Sequence, residues 1–386
     1  MKAGGLKLKL KMKINKNYTG HNIDILKTFG DKCIDCIITS PPYYQLRNYK
    51  TEHQIWGGNE NCEHQFESIE NVIHSGSTKS KIANGQNQIT SMKSTSAFCS
   101  KCSAWKGELG LEPTFQLYIE HLIMVFAECK RVLKDEGTIW VNLGDSYSGS
   151  GNGSGDVTGG SKYDSSLTDS QQIKNGSKPG RQSLQSKCLL NIPGRFAIAM
   201  TDELNLILRN NIVWYKNNCM PSSATDRFTV DFENIMFFTK KKKYYFEQQF
   251  EKSVDPESYS GRRARTLPGQ FHTDKKHFAK AGSYDENGID RGAGKTYPNR
   301  NMRTVWNINT SGSKDKHYAM YPEKLLVRMI EAGCPKGGLV LDPFGGSGTT
   351  GITAKKLQRN FINIELNHEY SEIAERNFEN KIGNLF

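Results

Sequence analysis

The stretch Leu339-Val340-Leu341-Asp342-Pro343-Phe344-Gly345-Gly346-Ser347-Gly348-Thr349-Thr350 limits the fold more than any other. Its apolar run reads as a buried strand, its glycines as a tight turn, and 350–357 as the helix that follows. Glycine lets a backbone approach a ligand closely. Gly346-x-Gly348-x-x-Gly351 has the spacing of a dinucleotide fingerprint. No Lys-Ser or Lys-Thr follows the glycines, so the turn is not a phosphate-binding P-loop. Residues 361–364 read as a second strand ending in Glu365, an acid placed to accept hydrogen bonds from ribose hydroxyls. Together these predict the nucleoside-binding half of an α/β sheet. On geometry alone NAD and S-adenosylmethionine (SAM) both satisfy it.

A second stretch, Ile37-Ile38-Thr39-Ser40-Pro41-Pro42-Tyr43, reads as another buried strand. It stops at two prolines, which cannot donate to a ladder. A hydroxyl, two carbonyls and an aromatic ring then meet at the carboxyl end of the strand, where ligands sit in open α/β sheets.

Together the two stretches resemble the DNA amino-methyltransferases, which methylate N4 of cytosine or N6 of adenine. Ser40-Pro41-Pro42-Tyr43 is similar to their catalytic motif. Asp342 to Thr349, with Phe344, Gly345, Gly346, Ser347 and Gly348, is similar to their SAM-binding motif, and Glu365 takes the ribose position. The catalytic motif comes first, which is the order of the β group. The resemblance implies a SAM-dependent methyltransferase (Rossmann-like) α/β fold: a mostly parallel sheet with helices on both faces. It implies one catalytic domain over 1–386, interrupted by insertions. Where the family has Gly-Asp at the start of its first helix, this chain has Gly20-His21.

The chemistry that the resemblance implies is specific. An exocyclic amino group is a poor nucleophile because its lone pair is delocalised into the ring, and the base must leave the duplex. Ser40 and the Pro41 carbonyl would accept hydrogen bonds from the amino hydrogens, and the Tyr43 ring would stack on the base. No catalytic metal is needed. A C5-cytosine route uses a Pro-Cys nucleophile, and no proline here precedes a cysteine. An NAD oxidoreductase leaves Ser-Pro-Pro-Tyr unexplained, and a non-catalytic zinc-containing DNA-binding protein leaves the glycine turn without a purpose. Serine before Pro-Pro leans toward N4 of cytosine, with N6 of adenine the alternative.

Lys plus Arg total 52 against 40 Asp plus Glu, a net charge of +12, which favours a polyanionic partner. Double-stranded DNA is the partner implied; a cognate restriction endonuclease is left open. No apolar run approaches ~18 residues and no signal core opens the chain, so neither a membrane span nor export is expected. Nine cysteines suit a reducing cytoplasm of a bacterium, archaeon or phage host.

Residues 57–107 read as an insertion whose middle, 75–96, lacks periodicity. Its flanks carry Cys62-x-His64 and Cys99-x-x-Cys102, two close pairs suited to a structural Zn2+ with all four positions filled by protein. Residues 148–187, rich in Gly and Ser, read as a flexible loop. Residues 247–303 combine Arg262, Arg263, Arg265 and Arg291 with no core periodicity, and read as the target-recognition region. Elsewhere, 6–14 alternates as a lysine-faced strand, 112–133 as a helix, 135–137 as its turn and 138–143 as a strand. A helix is expected over 192–210, strands over 211–216 and 233–239, a pairing continuation at 244–246, and a helix from Pro322 to 332.

Overall fold

The computed structural model describes residues 12–49, 51–66, 68–73, 90–95, 97–148, 184–185, 187–253, 299–310 and 321–383; for 68–73 and 90–95 only the backbone is described. The elements of the first part of the chain are β1 (Lys16–Thr19), α1 (Asn22–Thr28), β2 (Ile34–Thr39), β3 (Gln54–Trp56), β4 (Ser68–Ile73), β5 (Thr90–Thr95), β6 (Trp105–Gly107), α2 (Phe115–Val132), β7 (Leu133–Leu143) and α3 (Ile192–Asp202). There follow β8 (Ile207–Tyr215), β9 (Phe232–Thr239), β10 (Phe250–Lys252), β11 (Asn299–Asn301), β12 (Val305–Asn307), α4 (Glu323–Gly333), β13 (Leu339–Asp342), α5 (Thr349–Lys356), β14 (Asn360–Glu365) and α6 (His368–Ile382).

Eight strands form one sheet in the order β1-β14-β13-β2-β7-β9-β8-β12. From β1 to β7 neighbours run parallel; β9 is antiparallel to both β7 and β8. The central strands are apolar on both faces, as a sheet covered by helices on both sides requires. Ile37, Ile139, Val141 and Leu341 join a core with Leu26 of α1, Leu122 and Phe126 of α2, and Phe196 of α3. The alternate positions turn the other way: Thr138 donates to the Gly333 carbonyl at the end of α4, and Trp140 leaves no room for a Cβ on Gly333. Strand order reverses between β13 and β2, the point where ligands bind in open α/β sheets.

Most expected elements are present; several differ. The helix at 192–210 ends at Asp202; Asn205 is left-handed (φ 49°), and Ile207–Tyr215 pairs with β9 instead. Leu204 and Leu206 continue the apolar spacing, so periodicity alone overruns the break. Residues 135–137 form no separate turn: they lie in β7 at a bulge, where pairing jumps from Ile34–Leu133 to Cys36–Thr138. Residues 244–246 form no strand; the Tyr245 N–H donates to the Glu136 carbonyl. Within the stretch read as aperiodic, Thr90–Thr95 pairs antiparallel with Ser68–Ile73. The alternating stretch 6–14 lies largely outside the described residues, and Met12–Asn15 carries no strand; the sheet edge is Lys16–Thr19. Most of 148–187 and 247–303 also lies outside them.

The chain divides into two units: Met1–Tyr245 with Val305–Phe386, and Phe246–Thr304. Within the second, β10 pairs antiparallel with β11, and Glu251 accepts from Arg300 and Arg303, each at 2.9 Å. No described helix is long and apolar enough to cross a membrane.

Candidate active site

Where β2 stops, Ser40-Pro41-Pro42-Tyr43 turns away from the sheet. Tyr118 of α2 donates to the Pro42 carbonyl at 2.6 Å. Among the described residues no donor reaches the Pro41 carbonyl. The Ser40 hydroxyl donates to the Tyr43 oxygen at 3.4 Å, and Tyr43 donates to Glu233 Oε2 at 2.7 Å. Asn142, near the end of β7, donates to the same Oε2 at 3.0 Å. Lys216 holds Glu233 Oε1 while its ammonium lies 4.2 Å above the Trp214 ring. Gly144 makes space for Tyr43: a Cβ there would stand 2.5 Å from its ring. Burial, reinforced by the Glu233 charge, pushes the Tyr43 phenol well above its ordinary range.

Four donors converge on buried Asp342 at the end of β13. Thr39 (2.6 Å) and the Phe344 N–H (3.0 Å) donate to Oδ1; Tyr321 (2.8 Å) and Thr350 (2.5 Å) donate to Oδ2. Burial raises this carboxyl, and Thr350 leads the hydrogen bonds that oppose the rise. Asp342 thus ties β13 to β2 and α5 and fixes the glycine turn from below. Gly346 takes a left-handed φ of 50° with open space at its Cβ position, whereas Gly348 (φ 84°) opens α5, its Cβ position 2.9 Å from Ala374. Glu365, at the end of β14, accepts the Gly346 N–H on Oε2 and the Asn367 N–H on Oε1, both at 2.8 Å. Burial raises its carboxyl as well.

One cavity of about 740 Å³ joins these parts. Phe344, Gly345, Gly346, Ser347, Thr349 and Glu365 line one end; Ser40, Pro41, Pro42, Tyr43, Asn142 and Glu233 line the other. Asp342 and Gly348 are not in the lining and act from behind it. His21 and Asn22 also face the cavity. His21 packs edge-on against Trp56, and its buried Nε2 has no partner among the described residues. Asp145 serves the scaffold: its Oδ1 accepts the N–H groups of Ser146 and Ile192, each at 2.9 Å, capping α3.

Cys62, His64, Cys99 and Cys102 converge, with one ligand atom of each within 4.8 Å of the others. Cys62 and Cys99 sulfurs are 3.9 Å apart, and Cys102 Sγ is 3.3 Å from His64 Nδ1. Tetrahedral zinc, with bonds of about 2.0–2.3 Å, needs donor separations of roughly 3.3–3.8 Å; these two pairs lie at or within about 0.1 Å of that range and the widest separation is at most 4.8 Å, so the donor set suits the ion with a small contraction. Burial would raise the Cys99 thiol, but the Gln65 N–H and His64 bring it down to about 6. The cluster is tied to the sheet's helices. Strands β3 and β6 pair beside it, and Trp56 and Trp105 sandwich the buried His121 ring of α2, stacked at 5.2 and 5.4 Å. Glu112 Oε1 and His121 Nδ1 are hydrogen-bonded at 2.9 Å.

The two sequence motifs therefore meet, and the four metal-ligand candidates meet. Glu233 and Lys216 escaped the sequence reading, whereas Tyr321 lies in the 317–324 segment that the family resemblance sets beside the cofactor, and it lines the cavity. Glu233 lies 190 residues from Tyr43 and 91 from Asn142, and no local spacing distinguishes a glutamate opening a strand from a solvated one.

Comparison with known proteins agrees with this geometry. A DNA methylase family model matches residues 34–376. The Type II methyltransferase M.SmaI of Serratia marcescens is 30% identical over 93% of this chain and 89% of its own length. M.Cfr9I of Citrobacter freundii is 29% identical over 92% of this chain and 85% of its own. The structure of the PvuII cytosine-N4-specific DNA methyltransferase shares the fold, with a TM-score of 0.51 at 15% identity, covering 95% of this chain and 87% of that one. A family match spanning most of the chain, on a sheet whose switch point carries both motifs, places this protein in the DNA methylase family, the amino-methyltransferases of N6-adenine and N4-cytosine.

Proposed function

We propose that the chain transfers a methyl group from SAM to the exocyclic amino group of a base flipped out of double-stranded DNA, with N4 of cytosine the target. The observation that carries this reading is the single cavity running from the glycine turn and Glu365 to Ser40 and Tyr43. When bound, SAM supplies an electrophilic sulfonium methyl. Glu365 would accept from the ribose hydroxyls, and the backbone around Gly346 would hold the nucleoside. Phe344, Ser347 and Thr349 complete that end, with Asp342 and Gly348 shaping the turn. His21 and Asn22 border the same end. Ser40 and the Pro41 carbonyl accept from the amino hydrogens, drawing the nitrogen lone pair out of the ring plane, while Pro42 is held by Tyr118. The ring of Tyr43 supports the base. Orientation of this kind is most of what an in-line transfer asks of a protein.

The lean to cytosine rests on serine before Pro-Pro. Zn2+ held by Cys62, His64, Cys99 and Cys102 would be structural, because the protein fills all four positions. Residues 247–303 would read the DNA sequence, and a restriction endonuclease of the same specificity would be the biological counterpart in a cytoplasmic setting. Incubating the purified protein with labelled SAM and duplex DNA, then separating the nucleosides, tests the reading. Label in N4-methylcytosine supports it, label in N6-methyladenine moves the target, and binding of NAD in place of SAM overturns it.

A further inference from the structure

We infer that Glu233 is the terminal acceptor for the proton released by methyl transfer, reached through Ser40 and Tyr43. The inference rests on the methyltransferase reading above and adds a role that neither motif contains. The observation is a directed hydrogen-bond chain. Ser40 donates to the Tyr43 oxygen, and Tyr43 donates to Glu233 Oε2. The Tyr43 hydroxyl also lies 3.3 Å from Asn142 Oδ1, but Glu233 Oε2 is its nearer and charged acceptor at 2.7 Å; with the Ser40 proton directed at Tyr43, the Ser40 lone pairs are left to accept an amino hydrogen. The first link is the longest, 3.4 Å; such links in unliganded sites commonly tighten once substrate is in place.

The balance of the reaction calls for this acceptor. The amino nitrogen uses its lone pair to form the N–C bond, and the C–S bond breaks with its electron pair left on sulfur. The sulfonium becomes a neutral thioether and the positive charge moves to nitrogen. One of the two amino protons must then leave. It passes to Ser40 Oγ as the Ser40 proton moves to the Tyr43 oxygen and the Tyr43 proton moves to Glu233. Both hydroxyls are regenerated and Glu233 is neutral until the site opens to water. A fixed carboxylate also stabilises positive charge as it develops on nitrogen.

Other groups around Glu233 keep it in place rather than compete for the role. Lys216 engages the other oxygen, Oε1, and Asn142 donates its Nδ2–H to Oε2; the Asn142 Oδ1, 3.3 Å from the Tyr43 hydroxyl, is a neutral amide oxygen far less basic than the carboxylate. The Asn142 Nδ2 also donates to the Asn234 carbonyl, which orients the amide.

The test is a double-mutant cycle with E233Q and Y43F on the full chain. Single-turnover methylation should fall about tenfold to a hundredfold in each, and the double variant should be no slower than the slower single, since both break one path. SAM affinity by calorimetry and melting temperature should stay close to wild type, which separates a relay from a structural role. A readout independent of turnover is the Tyr43 ring-carbon resonance in protein carrying 13C-tyrosine, identified by its loss in Y43F; it should shift in E233Q without cofactor or DNA. Wild-type turnover in E233Q, or multiplicative losses in the double variant, would overturn the relay. A wild type that binds no SAM would overturn the methyltransferase reading instead.

Discussion

Replacing Glu365 with Gln probes the cofactor end with the least change in shape. The carboxylate accepts one backbone N–H on each oxygen, from Gly346 and from Asn367. An amide has one accepting oxygen, so its NH2 must face one of those two donors. One hydrogen bond is lost and two donors confront each other, at a cost of about 1–3 kcal/mol for an unsatisfied buried donor. The ribose loses a charged acceptor, where such bonds contribute about 1.5–3 kcal/mol. If only part of each loss reaches the bound state, SAM binding should weaken roughly tenfold to a hundredfold, since about 1.4 kcal/mol is tenfold. Isothermal calorimetry measures this directly, with melting temperature as the control for fold. The pH dependence gives a second check. Burial raises the Glu365 carboxyl, so the folded protein keeps this proton to higher pH than an unfolded chain. That contributes stability below the ordinary carboxylate pKa, and the contribution is lost as pH rises through the raised value. Cofactor affinity runs the other way, because ribose hydroxyls donate to the ionised form: binding should strengthen as pH rises through that window. In E365Q this slope should disappear. Unchanged affinity and an unchanged pH slope in E365Q would refute the assignment of this acid to the ribose.

Three further outcomes are expected. Protein purified without chelators should carry one zinc per chain by elemental analysis, and Cys99→Ser should lose most of it together with several degrees of melting temperature, because the Trp56–His121–Trp105 stack is anchored beside the cluster; full metal content in that variant would exclude the site. Ser40→Ala should lower single-turnover methylation about a hundredfold to a thousandfold, the range for losing a hydrogen bond made in the transition state, with calorimetric SAM affinity retained. Exchanging residues 247–303 for the matching segment of a relative with another specificity should change the methylated motif, read by sequencing DNA from expressing cells; an unchanged motif would put recognition elsewhere, with 148–187 the next segment to exchange.

Sequence alone determined the parts of this protein whose physics is local. Val340 and Leu341 before Asp342, and the glycines after it, require a buried strand and a turn of unusual backbone angles. Two prolines must end the strand at Thr39. Close pairs of cysteine and histidine announce a metal cluster, and the four groups do converge. What local pattern cannot supply is which chain segments become neighbours. Helix periodicity overran Asp202 because pairing with β9, not side-chain spacing, decides that Ile207–Tyr215 is a strand. Asp342 reads as a ligand contact in the motif, yet Thr39 of the neighbouring strand and Tyr321 of the loop before α4 surround it, and it is not in the cavity lining. Glu233 lies 190 residues from Tyr43, and only the antiparallel pairing of β9 with β7 carries it to the end of β2. Tertiary structure decided these because a carboxylate's role is set by the donors that reach it, and those donors come from strands and loops distant in the chain as well as from a nearby helix.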